Sequence, residues 1–130
     1  MIQEIQMEII RVNVWGKEFP LEIVFDCYKN EVVTEPQKKA LAVFLEHPEW
    51  IASSKQDVVS FCKKRVFDFW GKHISDEVFD YIVPKEIYIK RDDDNHRVAL
   101  MCDFKYDPEQ GVAVVFSGDG KVTVGIQNII

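Results

Sequence analysis

The stretches Val98-Ala-Leu-Met-Cys-Asp-Phe-Lys-Tyr106, Asp107-Pro-Glu-Gln-Gly111, Val112-Ala-Val-Val-Phe116 and Lys121-Val-Thr-Val-Gly-Ile126 decide the fold. Three runs rich in β-branched and aromatic residues are separated by two segments of turn chemistry, which predicts a three-strand antiparallel meander. Asp followed by Pro initiates a turn, and Gly111 suits a left-handed exit. Ser117-Gly-Asp-Gly120 reads as a second hairpin turn that needs positive φ.

Working outward, Glu86-Ile-Tyr-Ile-Lys90 alternates as a further strand, joined to the meander by the polar loop Arg91–Arg97. Before it, Ser75 caps a short helix that packs Val78, Phe79 and Ile82 and ends at Pro84. Ser54 to Gly71 predicts a helix over 55–71, with Val58, Val59, Cys62, Val66, Phe69 and Trp70 on one face. Its cations Lys63, Lys64 and Arg65 point in different directions and read as solvated. Thr34-Glu-Pro-Gln37 has the pattern of a capping box, so a helix spans 35–47, with Leu41, Phe44 and Leu45 as its stripe. Ser54 is expected to cap the second helix in the same way. Two strands come first. Ile5–Trp15 has a parity switch at Ile9-Ile10 that suggests a bulge or two covered faces, and Leu21–Tyr28 alternates. Strands grouped around a helical block predict an α+β fold. It has a mostly antiparallel sheet of about six strands, with two or three helices inserted between strands 2 and 3 and packed on one face.

The 130 residues suit one domain, 1–130, with a core large enough to need no staples. No segment has the length of a membrane helix or the pattern of a leader, so the expectation is a soluble cytoplasmic protein. Cys27, Cys62 and Cys102 match no metal-pair spacing and read as buried free thiols. The net charge of −6 is uneven: −4 over residues 1–54, +3 over 55–74 and −5 over 75–130. That balance disfavours sequence-independent nucleic-acid binding; it permits an acidic face that attracts a basic partner, and acidity that only keeps the protein soluble is the other reading.

Chemistry is thinly signposted. His47, His73 and His96 lie far apart, so no metal is expected. Asp92-Asp93-Asp94-Asn95 lacks the glycine and closing glutamate of an EF-hand loop. No nucleophile elbow or phosphate loop occurs, and no cofactor is expected. Asp103-Phe-Lys105, with Asp94, has the residue types of a metal-dependent nuclease. However, the chain's composition should produce roughly two acid-x-Lys tripeptides by chance. It has two, the other being Asp119-Gly-Lys121.

The segment from Cys102 to Val114, with Gly120-Lys-Val122 and Gly125-Ile-Gln-Asn128, resembles the C-terminal signature of a family of small bacterial domains of unknown function. Members carry an aromatic-Asp-Pro-Glu-His-Gly turn, an apolar strand and a terminal Val-Gly-x-Gln-Asp. Some look like immunity proteins beside polymorphic or contact-dependent toxins. The resemblance covers about 30 residues. This chain has Gln110 where the family has His, Tyr106 where it has Trp, and Asn128 where it has Asp. A base or ligand role for that histidine is therefore not carried over.

Charge and resemblance together point to a non-enzymatic immunity protein. It would meet a cognate toxin of basic surface through Asp92, Asp93, Asp94, Asp107 and Glu109, without nucleic acid or membrane. The alternatives are a nuclease using Asp94, Asp103 and Lys105, or an accessory domain.

Overall fold

A computed structural model describes residues 8–26, 32–91 and 97–129. Six strands form one sheet in chain order: β1 (Glu8–Val14), β2 (Lys17–Phe25), β3 (Ile82–Ile89), β4 (Val98–Phe104), β5 (Val112–Phe116) and β6 (Val122–Gly125). All neighbours are antiparallel except β2 and β3, which run parallel with Glu22 opposite Glu86 and Phe25 opposite Ile89. A parallel pair needs a long crossover. Here it is the helical block α1 (Glu35–Glu46), α2 (Glu49–Ser53) and α3 (Lys55–Trp70). The expected α+β architecture, with helices between the second and third strands, is the one observed.

The core lies between this block and one sheet face. Leu21, Ile23, Ile87, Ile89, Leu100, Phe104, Val114 and Phe116 meet Phe44, Ile51, Val58, Cys62 and Val66. Strand alternation sends Glu22, Glu86, Tyr88, Met101 and Asp103 to the other face, which carries a small cluster of Ala99, Ala113 and Val115 with Ile129 at its edge.

The start of α1 is a capping box: the Thr34 hydroxyl accepts from the Gln37 N–H, and Gln37 Oε1 accepts from the Thr34 N–H. Gln37 is also buried. Its Nε2 donates to the carbonyls of Asp26 at 2.9 Å and Ile89 at 3.3 Å, tying the helix to the ends of both parallel strands. Trp15 and Gly16 both have positive φ, 51° and 94°, and make a two-residue hairpin turn of the twist that antiparallel strands prefer. The Trp15 conformation is held by its indole N–H, which donates to Ser54 Oγ at 3.2 Å, and by the Phe79 ring.

Several expectations shift. β3 begins at Ile82, so Pro84 sits inside a strand; the preceding helix shrinks to one 3-10 turn, Val78–Asp80. A bulge between Pro84 and Glu86 absorbs the irregularity. Pro48 starts α2 instead of only ending α1, so the helical block has three pieces. Ser54 does not cap α3: it is helical, and its hydroxyl donates back to Ile51 O at 2.6 Å. β1 pairs with β2 in unbroken register, with Ile9 exposed and Ile10 turned inward. Leu45 of the α1 stripe is exposed, and buried Ala40 takes its place. Cys62 and Cys102 are buried and free. Burial pushes the Cys62 thiol up to about 12 and raises Cys102 further, so neither supplies a thiolate near neutral pH. Cys27 lies outside the described residues. No helix among them is long and apolar enough to cross a membrane.

Candidate protein-interaction surfaces

Two surfaces are chemically distinctive, one on each side of the sheet. The first is the corner where α3 ends beside the β4–β5 turn. At about 24 Å, α3 carries its last turns past its buried residues Val58, Val59, Cys62 and Val66. Phe67, Phe69 and Trp70 are therefore 50, 69 and 57% exposed, and the expected inward packing of Phe69 and Trp70 does not occur. Gly71 stops the helix in the left-handed conformation that favours glycine, as its position suggested. The Trp70 indole N–H donates to Tyr106 O at 3.0 Å, and Arg65 lies 4.3 Å above the Phe69 ring. Arg65, Val66, Phe69, Trp70, Tyr106 and Asp107 enclose a groove of about 340 Å³.

The Asp-Pro-Glu-Gln-Gly turn forms the other wall of this corner. Asp107 Oδ2 accepts from Arg65 Nε at 2.9 Å and Nη2 at 2.8 Å, while Oδ1 accepts from the Gln110 N–H at 3.3 Å. The two side chains are only 23 and 16% exposed. Arg65 is thus not a solvated cation, whereas Lys63 and Lys64 are exposed and reach Asp76 and Asp68. Gly111 has φ 59°, and a Cβ there would meet Cys102 O and Gln127 Nε2, each at 2.6 Å. Gln127 in turn donates to Cys102 O, and its N–H donates to Gln110 O. The turn and the terminal Val-Gly-x-Gln segment therefore hold each other by backbone-directed bonds. Gln110 and Asn128 are exposed.

The second surface is the sheet face opposite the helical block, where the 3-10 turn Gln127–Ile129 covers one edge. Glu22 and Glu86 stand opposite one another in the parallel ladder, and Asp103 lies nearby on β4. Burial, then the Glu22 and Asp103 charges, raise the Glu86 carboxyl above its usual value. Among the described residues, no cation pairs with Glu22 or Glu86; Lys85 reaches only Asp103, at 3.9 Å. Tyr88 on the same face is pushed up to about 12 by burial and by its hydrogen bond with Asp26.

Of the residues expected to meet a partner, Asp107 and Glu109 sit together at the corner. Asp107 is engaged internally and Glu109 is exposed. Asp92, Asp93 and Asp94 lie outside the described residues. Asp103 and Lys105, the described members of the nuclease set, diverge. Asp103 faces Lys85 on the side opposite the helical block, and Lys105 lies 5.7 Å over the Tyr81 ring. Among the described residues, no three or more His, Cys, Asp or Glu are placed to hold a metal ion. Sequence reasoning passed over Glu22 and Glu86; the signal was two glutamates on the polar parity of two strands, which only the parallel register juxtaposes.

No curated protein and no solved structure gives a significant match to the chain. A family model described as Domain of unknown function (DUF6985) matches residues 2–130. Its span takes in both surfaces, the helical block and the whole sheet, and the chain belongs to that family.

Proposed function

We propose that this protein is a non-enzymatic protein-binding domain, a bacterial immunity protein that works in the cytoplasm and neutralises a cognate toxin of basic surface. The observation that carries the reading is the sheet face opposite the helical block. Glu22 and Glu86 face each other half-buried, with Asp103 close by and, among the described residues, no cation on the glutamates. Like charges directly opposite one another on a sheet cost stability. A lysine or arginine from outside would relieve that cost, whereas an acidic partner would be repelled. A toxin that acts on nucleic acid carries such cations for its substrate. Glu109, exposed at the separate corner beside α3, and Asp92, Asp93 and Asp94 join the proposal on charge alone.

The test is co-expression with the protein encoded next to this chain, read as growth protection and as affinity by calorimetry. The double reversal Glu22→Lys/Glu86→Lys is expected to weaken binding by at least a hundredfold, because it adds repulsion as well as removing attraction. Unchanged protection by the reversed variant would end the electrostatic reading.

A further inference from the structure

We propose that the corner groove between Phe69, Trp70 and Tyr106 is a second docking site, for an acidic segment of a protein partner. An apolar side chain would seat between the rings and a carboxylate would sit on Arg65. The site lies on the helix side of the sheet, away from Glu22 and Glu86, and stands independently of the toxin reading.

Size and composition fit one anchoring side chain. The groove holds about 340 Å³ and is walled by three aromatic rings, the residue types that dominate binding hot spots. Phe69 and Trp70, which line it, are each more than half exposed. The walls are preformed: Trp70 is tied to Tyr106 O, and Tyr106 is packed edge-on against Tyr81 and Phe104.

Charge selects the occupant. At the corner, Arg65 lines the groove, Lys72 follows the end of α3 and Lys105 adjoins Tyr106, against the acids Asp107, already held by Arg65, and Glu109. Arg65 spends Nε and Nη2 on the single oxygen Oδ2 of Asp107. Its Nη1 has no hydrogen bond among the described residues, so two N–H groups remain for a carboxylate. Lys72 and Lys105 have no ion pair among the described residues. Lys63 and Lys64 are already paired with Asp76 and Asp68, which leaves too short a row of cations for a phosphate backbone. A symmetric contact with a second copy would bring the Lys72 and Lys105 regions of both chains together, a like-charge penalty.

The experiment titrates the full chain with oligothymidylate and with three peptides: acetyl-Glu-Asp-Phe-Asp-Glu-amide, the same peptide with Gly for Phe, and acetyl-Lys-Lys-Phe-Lys-Lys-amide. The readout is the amide and indole NMR shifts. Saturable shifts at the Trp70 indole and Tyr106 are expected for the acidic Phe peptide. Affinity should fall at least tenfold for the Gly peptide, for Phe69→Ser and for Lys72→Glu/Lys105→Glu. Phe69 is largely exposed, so the Ser variant should keep its melting temperature. If the serine variant did lose its fold, the double charge variant would carry the test. Four results would overturn the proposal: equal binding of the lysine peptide; shifts centred elsewhere; tighter binding of oligothymidylate to the same residues; or a concentration-dependent dimer, lost in Phe69→Ser, that occupies the groove.

Discussion

Removing the Asp107 carboxylate should damage the fold before it damages recognition. Oδ2 takes two charge-assisted bonds from Arg65, and Oδ1 takes the Gln110 N–H at 3.3 Å, a long and weak contact. A bond to a charged group contributes about 1.5–3 kcal/mol, and an abandoned half-buried guanidinium adds to the loss. The pair keeps 23 and 16% side-chain exposure, so water screens part of it. Asp107→Ala is therefore expected to cost about 2–4 kcal/mol, and Asp107→Asn about half as much, since the amide keeps an acceptor for Gln110. The double variant Arg65→Met/Asp107→Ala should be less unstable than the sum of its parts, with a coupling of about 1–3 kcal/mol. Urea unfolding at constant m-value reads the parent, both Asp107 variants, Arg65→Met and the double variant. A cost under about 0.5 kcal/mol with no coupling would refute the clasp and return Asp107 to the pool of residues free to meet a partner.

Gln37→Leu keeps the volume but orphans the Thr34 N–H and the Asp26 carbonyl, so urea unfolding should show a loss of about 2–4 kcal/mol. Gly111→Ala puts a Cβ against Cys102 O in a left-handed backbone and should cost about 2–3 kcal/mol, with NMR changes concentrated at Gln127. Burial and like charges raise the Glu86 pKa, so the folded state favours the protonated form. The stability this contributes is present below the unfolded value and is lost as pH rises through the raised folded value. Glu86→Gln should thus gain stability over the parent as pH climbs from about 4 to 7. A difference in unfolding midpoint that stays flat with pH would contradict the cause assigned to Glu86.

What could be read from residues alone was local chemistry. Thr34 and Gln37 announced a capping box, Gly71 a helix stop, and the two turns of the C-terminal meander their own positions. What could not be read was set by neighbours distant in sequence. Pro84 is a helix terminator by local rule, yet a bulge at Lys85 lets it lie in β3. Ser54 has the chemistry of a cap, but α2 arrives in helical geometry and the hydroxyl turns to Ile51 O and Trp15. Helical period placed Phe69 and Trp70 inward because it cannot tell where a helix runs past its buried stretch. Arg65 looked solvated because its partner, Asp107, is 42 residues away. The candidate surfaces suffer most from this, since Glu22 meets Glu86 only through the parallel register.

That register also divides the molecule. The β3–β6 meander closes only short loops, and so does the β1–β2 hairpin, whereas joining them requires the whole helical block to be in place. Low loop-closure cost lets the meander assemble early, with the hairpin added across the short ladder Glu22–Phe25 against Glu86–Ile89. The junction with the highest closure cost is thus the one where two glutamates repel and Gln37 stitches the strand ends together. A cation received between Glu22 and Glu86 would bridge that seam, so binding there would double as a clamp on the two halves of the sheet.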